Sequence, residues 1–118
     1  MSIELRVVYK DVNREELYSP IISTGPSSGY AEYWEPIITQ LNLEWVQLVK
    51  TAGLRLLLYR DRLDEIRKEF QQLHRGISLS DNIPDEAKDV ALKRIELIIT
   101  VIDDIGTDPD KFAHVYLG

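Results

Sequence analysis

The chain contains no cysteine. That absence removes disulfide stapling, thiolate catalysis and every cysteine-containing zinc site. Histidine is nearly as scarce: His74 and His114 stand alone and far apart. The string GPSSG, Gly25 to Gly29, has the Gly-x-Ser-x-Gly spacing around Ser27, but it lies in a Pro/Gly/Ser-rich run that reads as a loop and not as the strand-to-helix turn of a nucleophile elbow, so a hydrolase-type pairing of nucleophile and base is not expected. No uninterrupted apolar run reaches membrane-spanning length, and the opening MSIELRVVYK lacks a basic stretch followed by a long apolar one. A cytoplasmic location without membrane contact is expected. With only two phenylalanines and one methionine, aliphatic residues, tyrosine and tryptophan must fill the core.

A length of 118 residues, 44% hydrophobic and 29% charged, fits one domain spanning residues 1–118 that folds unaided. The net charge of −6 is unevenly spread, because residues 81–110 hold nine acids and three bases while the rest of the chain balances. Lys50 to Arg75 carries seven bases against four acids. A molecule with one acidic and one mildly basic element suits a protein partner, a basic one included, better than nucleic acid, whose backbone the acidic side repels.

Ile3, Leu5, Val7 and Tyr9 alternate with Glu4, Arg6 and Lys10, the pattern of a half-buried strand with Val8 as its exception. Asn13 to Leu17 reads as a short helical turn, and the Pro/Gly/Ser-rich run Ser23 to Gly29 as a surface loop. A helix is expected from about Ala31 to Leu41, with Pro36 in its first turn. Ile37, Ile38, Leu41, Trp45, Leu48, Val49 and Ala52 fall on helical spacing as far as Gly53, a plausible stop. The alternative is a hairpin across Lys50 to Gly53, and residues 43–59 stay open between the two, with Leu54 to Tyr59 favoured as a strand. Leu63, Ile66, Phe70 and Leu73 mark a helix over Asp61 to Arg75, capped by Asp61 and stopped by Gly76. Another starts after Asp81 or Asn82, has Pro84, Asp85 and Glu86 in its first turn, and runs to about Asp104; its second half, IELIITVIDD, is apolar on more than one face and fits either a deeply covered helix or a strand after a shorter helix, and the unbroken lead-in favours one helix. The last residues, KFAHVYLG, alternate again and pair most simply with the first strand. The fold class is α+β: a small single-layer sheet of two to four strands packed against two or three helices.

No catalytic set, metal site or cofactor is expected. Asp103, Asp104, Asp108 and Asp110 crowd into eight residues, yet the EF-hand spacing fails, and a solvated turn with Gly106 as helix stop accounts for them. The run STGPSSG lacks both the Walker lysine and Gly-x-Gly-x-x-Gly. The bases of Arg55 to Arg75 are interleaved with Asp61, Asp64, Glu65 and Glu69, with Asp64 and Lys68 at the i, i+4 spacing that neutralises both. His114, within the terminal strand, reads as a partly buried structural residue.

Both tryptophans and two of six tyrosines lie between Gly29 and Trp45. Tyrosine and tryptophan combine an apolar body with a polar tip, which suits them to anchor interfaces. Trp45 is expected in the core, and at least one of Tyr30, Tyr33 and Trp34 at the surface. The leading expectation is therefore a non-enzymatic binding protein, steered electrostatically by Asp85, Glu86, Asp89, Asp103, Asp104, Asp108 and Asp110 and held in register by Tyr30, Tyr33 and Trp34. Self-association through the same aromatics is a variant. In size and charge the chain is comparable to small acidic inhibitors such as immunity proteins, an analogy of bulk properties and not of motif. The alternative is a small-molecule-binding domain or modest hydrolase with a pocket under Ser23 to Gly29, near Tyr33, Trp34 and His114.

Overall fold

The computed structural model describes residues 2–10, 16–18, 22–26 and 30–118. The fold is α+β. Strand β1, Ser2–Lys10, is the long central strand of an antiparallel sheet. On one side it pairs with two short strands end to end: β3, Ile22–Pro26, along its first half and β2, Glu16–Tyr18, along its second. On the other side it pairs with β5, Phe112–Leu117, which in turn pairs with β4, Leu54–Arg55. The sheet is thus four strands wide.

The alternation in β1 and β5 builds the inner face. Leu5 lies opposite Leu117 and Val7 opposite Val115, all buried, whereas Arg6 opposite Tyr116 and His114 opposite Val8 occupy the outer face. Glu4 and Gly118 exchange two backbone hydrogen bonds, of 3.1 and 3.0 Å, so the first and last strands are joined at their ends. His114 is exposed on the outer face, which corrects the expectation of a partly buried histidine. A register shift between Val8 and Tyr9 sends Phe112 inward, leaving His114 on the outer side without it.

Four α-helices follow among the described residues. A π-helical turn, Tyr30–Trp34, leads into α1, Glu35–Leu41. Asn42 then adopts a left-handed conformation with φ 55°, and Leu43 N–H donates to Ile38 O at 3.0 Å, a C-terminal motif that asparagine tolerates better than most residues. This break decides the fate of the tryptophans. Trp34 keeps helical phase with Ile37 and Ile38 and goes into the core, 4% exposed. Helix α2, Glu44–Thr51, restarts in a new phase that buries Val46 and Val49. Trp45 is left half-buried, edge-on to Tyr59 at 4.9 Å between ring centroids. Trp34, named with Tyr30 and Tyr33 as an anchor, is therefore a core residue, while Trp45, expected in the core, packs against it with one side left open, and Tyr33 is the partly exposed member of the group.

Gly53 does end the helical stretch, with φ 75° and its N–H donating to Leu48 O at 2.7 Å. The hairpin alternative for 43–59 does not form, and the strand expected over Leu54 to Tyr59 lasts two residues before giving way to a 3-10 helix, Leu56–Arg62. Three successive leucines there meet three environments: Leu56 is buried, Leu57 half-buried and Leu58 67% exposed.

Helix α3, Leu63–Ser78, and helix α4, Asp85–Thr107, form the long antiparallel pair behind the sheet. Asp61 sits in the 3-10 helix and does not cap α3, whose N-cap position is Arg62. Gly76 does not stop α3 but lies inside it. A Cβ there would come 2.6 Å from Ile37 Cγ2, so glycine serves a close approach of α1 to α3. Helix α4 begins after Pro84 instead of at Asp81 or Asn82 and passes through Gly106 to Thr107. Of the remaining expectations, Glu16 and Leu17 belong to β2 instead of a helical turn, and Ser23 to Pro26 belong to β3 instead of a loop. The open edge of β1 offers both segments backbone partners. Residues 13–15 and 27–29 lie outside the described residues.

Glu69 on α3 reaches to the first turn of α2, where its Oε1 accepts from the N–H groups of Trp45 at 2.8 Å and Val46 at 3.1 Å. The N-cap Leu43 has no side-chain acceptor, so a carboxylate from another helix takes that part. Burial pushes the Glu69 carboxyl above the usual carboxylate range, and the backbone hydrogen bonds oppose this without cancelling it. Since the folded value is the higher one, the stability linked to this proton is complete below the usual carboxylate range and is lost as pH rises through the raised value. Glu69→Ala should cost about 1 kcal/mol through the lost cap. Glu69→Gln keeps an acceptor and sheds the charge, so its stability relative to wild type should improve from acid towards neutral pH. Urea midpoints across that range test this, and a pH-independent difference would eliminate charge burial as the cause.

Candidate functional site

Helix α4 arranges the acids by its own periodicity. Ala91, Ile95, Ile98, Ile102 and Ile105 face the core, and at 3.6 residues per turn the opposite face carries Asp85, Glu86, Asp89, Glu96, Asp103 and Asp104, all exposed. This stripe is partly neutralised. Asp89 pairs with Lys93 at 3.1 Å. Asp103 receives two hydrogen bonds from the Arg67 guanidinium, at 2.6 and 3.3 Å, and thereby raises the pKa of that guanidinium further. Asp103 thus ties α4 to α3 instead of projecting as an isolated charge. Asp85, Glu86 and Asp104 make no ion pair with another described residue. They stand at the two ends of the helix, about 28 Å apart from Asp85 to Asp104 at 1.5 Å per residue. Asp108 and Asp110 are exposed in the turn after Thr107, at the far end.

The aromatic candidates separate. Trp34 is in the core and leaves the set of anchors that a partner could touch. The side chain of Tyr30 lies outside the described residues. Tyr33, one position off the buried face of its turn, is half-exposed.

Tyr33 lines a cleft of about 240 Å³ together with Glu32, Pro36, Ile37, Gln40, Ser80, Asn82 and Ile83. One wall is the π-helical turn and α1; the other is the connection between α3 and α4. Gly76 allows the two walls to meet, because it lets Ile37 settle against the last turns of α3. Lys88 fixes the second wall, donating from Nζ to the carbonyls of Ser78 at 3.2 Å and Ser80 at 2.7 Å. The buried Ile37 and Ile83 contribute apolar surface, while Glu32, Gln40 and Asn82 are exposed at its rim. Asp85 and Glu86 follow within three residues of Ile83. The fold therefore joins Tyr33 to the Asp85 end of the acidic stripe and leaves Asp104, Asp108 and Asp110 at the other end.

A second cleft, of about 320 Å³, lies between α1 and α2 and includes Glu35, Asn42 and Lys50 in its lining. Its charges are already matched, with Lys50 Nζ 2.8 Å from Glu35 Oε1. Tyr33, Trp34 and His114 do not converge on one pocket: they occupy a cleft wall, the core and the outer sheet face. Among the described residues no group of three or more histidines and carboxylates is placed to hold a metal ion, and no helix is long and apolar enough to cross a membrane.

Glu32, Gln40, Ser80, Asn82 and Ile83 were not candidates on the sequence. They lie some forty residues apart, and none belongs to a motif. The one local hint is Leu79, 70% exposed beside Ser80, an apolar residue off the buried phase of α3. No family model, curated protein or solved structure matches this chain.

Proposed function

We propose that this chain is a non-enzymatic binding protein that engages a basic protein partner through the outer face of α4 and the cleft at its Asp85 end. The observation that carries the reading is the position of Tyr33, half-exposed in a cleft that adjoins Asp85 and Glu86. Acidic residues spread along one helix face speed the encounter with a basic surface, and a partly buried tyrosine in a cleft wall supplies the short-range anchor.

The test is the kinetics of a partner captured from native lysate, followed against ionic strength. The variant Asp104→Asn/Asp108→Asn/Asp110→Asn should slow association and leave dissociation nearly unchanged, since these acids act at a distance. The variant Glu32→Gln/Asp85→Asn/Glu86→Gln should slow association and also speed dissociation, by about tenfold or more. If both variants keep the wild-type association rate and salt dependence, charge steering is not how the partner is found.

A further inference from the structure

We infer that the Tyr33 cleft receives a single arginine or lysine side chain, an assignment that rests on the binding function proposed above and names the group that enters the site. Size is the first argument. At about 240 Å³ the cleft is smaller than the roughly 300–1,000 Å³ of sites that enclose a cofactor or drug-sized molecule. One long side chain is the scale of object it holds.

The distribution of polarity is the second argument. Ile37 and Ile83 are buried and apolar, Pro36 extends that surface outward, and the exposed rim carries the Glu32 carboxylate with the amides of Gln40 and Asn82. A wholly apolar side chain would leave the rim groups unanswered, and a short polar one would not cover the isoleucines. Arginine and lysine carry a three- or four-carbon stem that lies on apolar surface and a cationic head that stays at the polar edge. The ring of Tyr33 in the wall adds the attraction of an aromatic face for a cation within about 6 Å.

Charge is the third argument. Among the described residues no base lines the cleft, whereas Asp81 sits between the lining residues Ser80 and Asn82, and Asp85 and Glu86 come two and three residues after Ile83. The nearby Lys88 is committed to the Ser78 and Ser80 carbonyls. In the neighbouring cleft the chain supplies its own cation, Lys50 against Glu35. In the Tyr33 cleft a side chain from outside takes the corresponding place.

The experiment uses the whole 15N-labelled protein and three probes: N-acetyl-arginine methylamide, the lysine analogue, and the citrulline analogue, which has nearly the shape of arginine without its charge. With the arginine or lysine probe, amide shifts should concentrate at Glu32, Tyr33, Gln40 and Asn82 and saturate. The citrulline probe should bind at least about tenfold more weakly. Glu32→Gln and Tyr33→Leu, each checked for an otherwise unchanged amide spectrum, should weaken the arginine probe by several-fold. Equal binding of citrulline, or shifts spread evenly over Asp104, Asp108 and Asp110 as well, would overturn the assignment. Should these probes fail while partner association still depends on Asp85 and Glu86, the binding function stands without an occupied cleft. If both fail, the function itself is withdrawn.

Discussion

Trp34→Ala is expected to destabilise the fold by about 4 kcal/mol, while Trp45→Ala costs about half as much. Trp34 is almost completely enclosed, in one cluster with Ile37, Ile38 and the aliphatic residues of the long helices, so its removal leaves a large void that rigid helices fill only in part. Trp45 has one side open to solvent and packs the other against the core and edge-on to Tyr59, so its removal leaves a shallower gap. Against a total stability of roughly 5–15 kcal/mol for a domain, the first substitution removes a third or more of what holds the protein together. Urea unfolding of the two variants measures both costs. Acrylamide quenching of Trp45→Phe and Trp34→Phe, each of which leaves one emitter, gives an independent ranking. A larger loss from Trp45→Ala, or equal quenching of the two indoles, would contradict the packing described.

Gly53→Ala should be nearly as damaging, at about 3 kcal/mol, for two separate reasons. Its φ of 75° lies in the left-handed region, where a Cβ costs about 1–2 kcal/mol. The added Cβ would also collide with the Tyr116 ring, which lies against Gly53 and against Gly118 at the end of the sheet. Gly106→Ala is the matched contrast. Gly106 is helical with open space around the position of its missing Cβ, so alanine there should be neutral or stabilise by up to about 1 kcal/mol. Thermal unfolding of the pair should show transitions displaced in opposite directions or, at the least, a loss confined to Gly53→Ala. A double variant Gly53→Ala/Tyr116→Ala that recovers part of the loss would separate the collision from the backbone cost.

Both tryptophans show where sequence reasoning works and where it stops. Trp34 was legible in its phase, since Ile37 and Ile38 mark its buried face, but residue type alone suggested an interface. Trp45 followed the same phase only on the assumption that the helix continues past Asn42, and one left-handed residue re-phases everything after it. Strand β1 and helix α3 were readable because their periodicity is clear, whereas the second half of α4 is apolar on more than one face and reads as helix or strand until its unbroken lead-in is weighed. Leu56 to Leu58 carry no periodicity at all, so a buried strand and a 3-10 turn that exposes Leu58 give the same string. Gly76 resembled a stop signal because glycine at a helix end and glycine at a helix crossing look alike until the crossing partner, Ile37, is known.

The candidate site was legible by halves. The acids of α4 and Tyr33 stood out by residue type and spacing, whereas Trp34, grouped with Tyr33 as an anchor, lies in the core. That Tyr33 meets Ser80, Asn82 and Ile83 is a tertiary fact set by the passage of α1 over Gly76, and nothing local encodes it. The neutralisation of Asp103 by Arg67 is likewise invisible in sequence, being a contact across two helices between residues 36 positions apart.

Because β1 and β5 run antiparallel with residues 4 and 118 bonded at the same end, the fold has a mechanical direction. Tension applied between those two residues would not shear the ladder, with all its bonds loaded together, but would open it one rung at a time from the Glu4–Gly118 pair inward. Each rung would break before the next carried load. However well its core is packed, the molecule would then yield at low force along this axis.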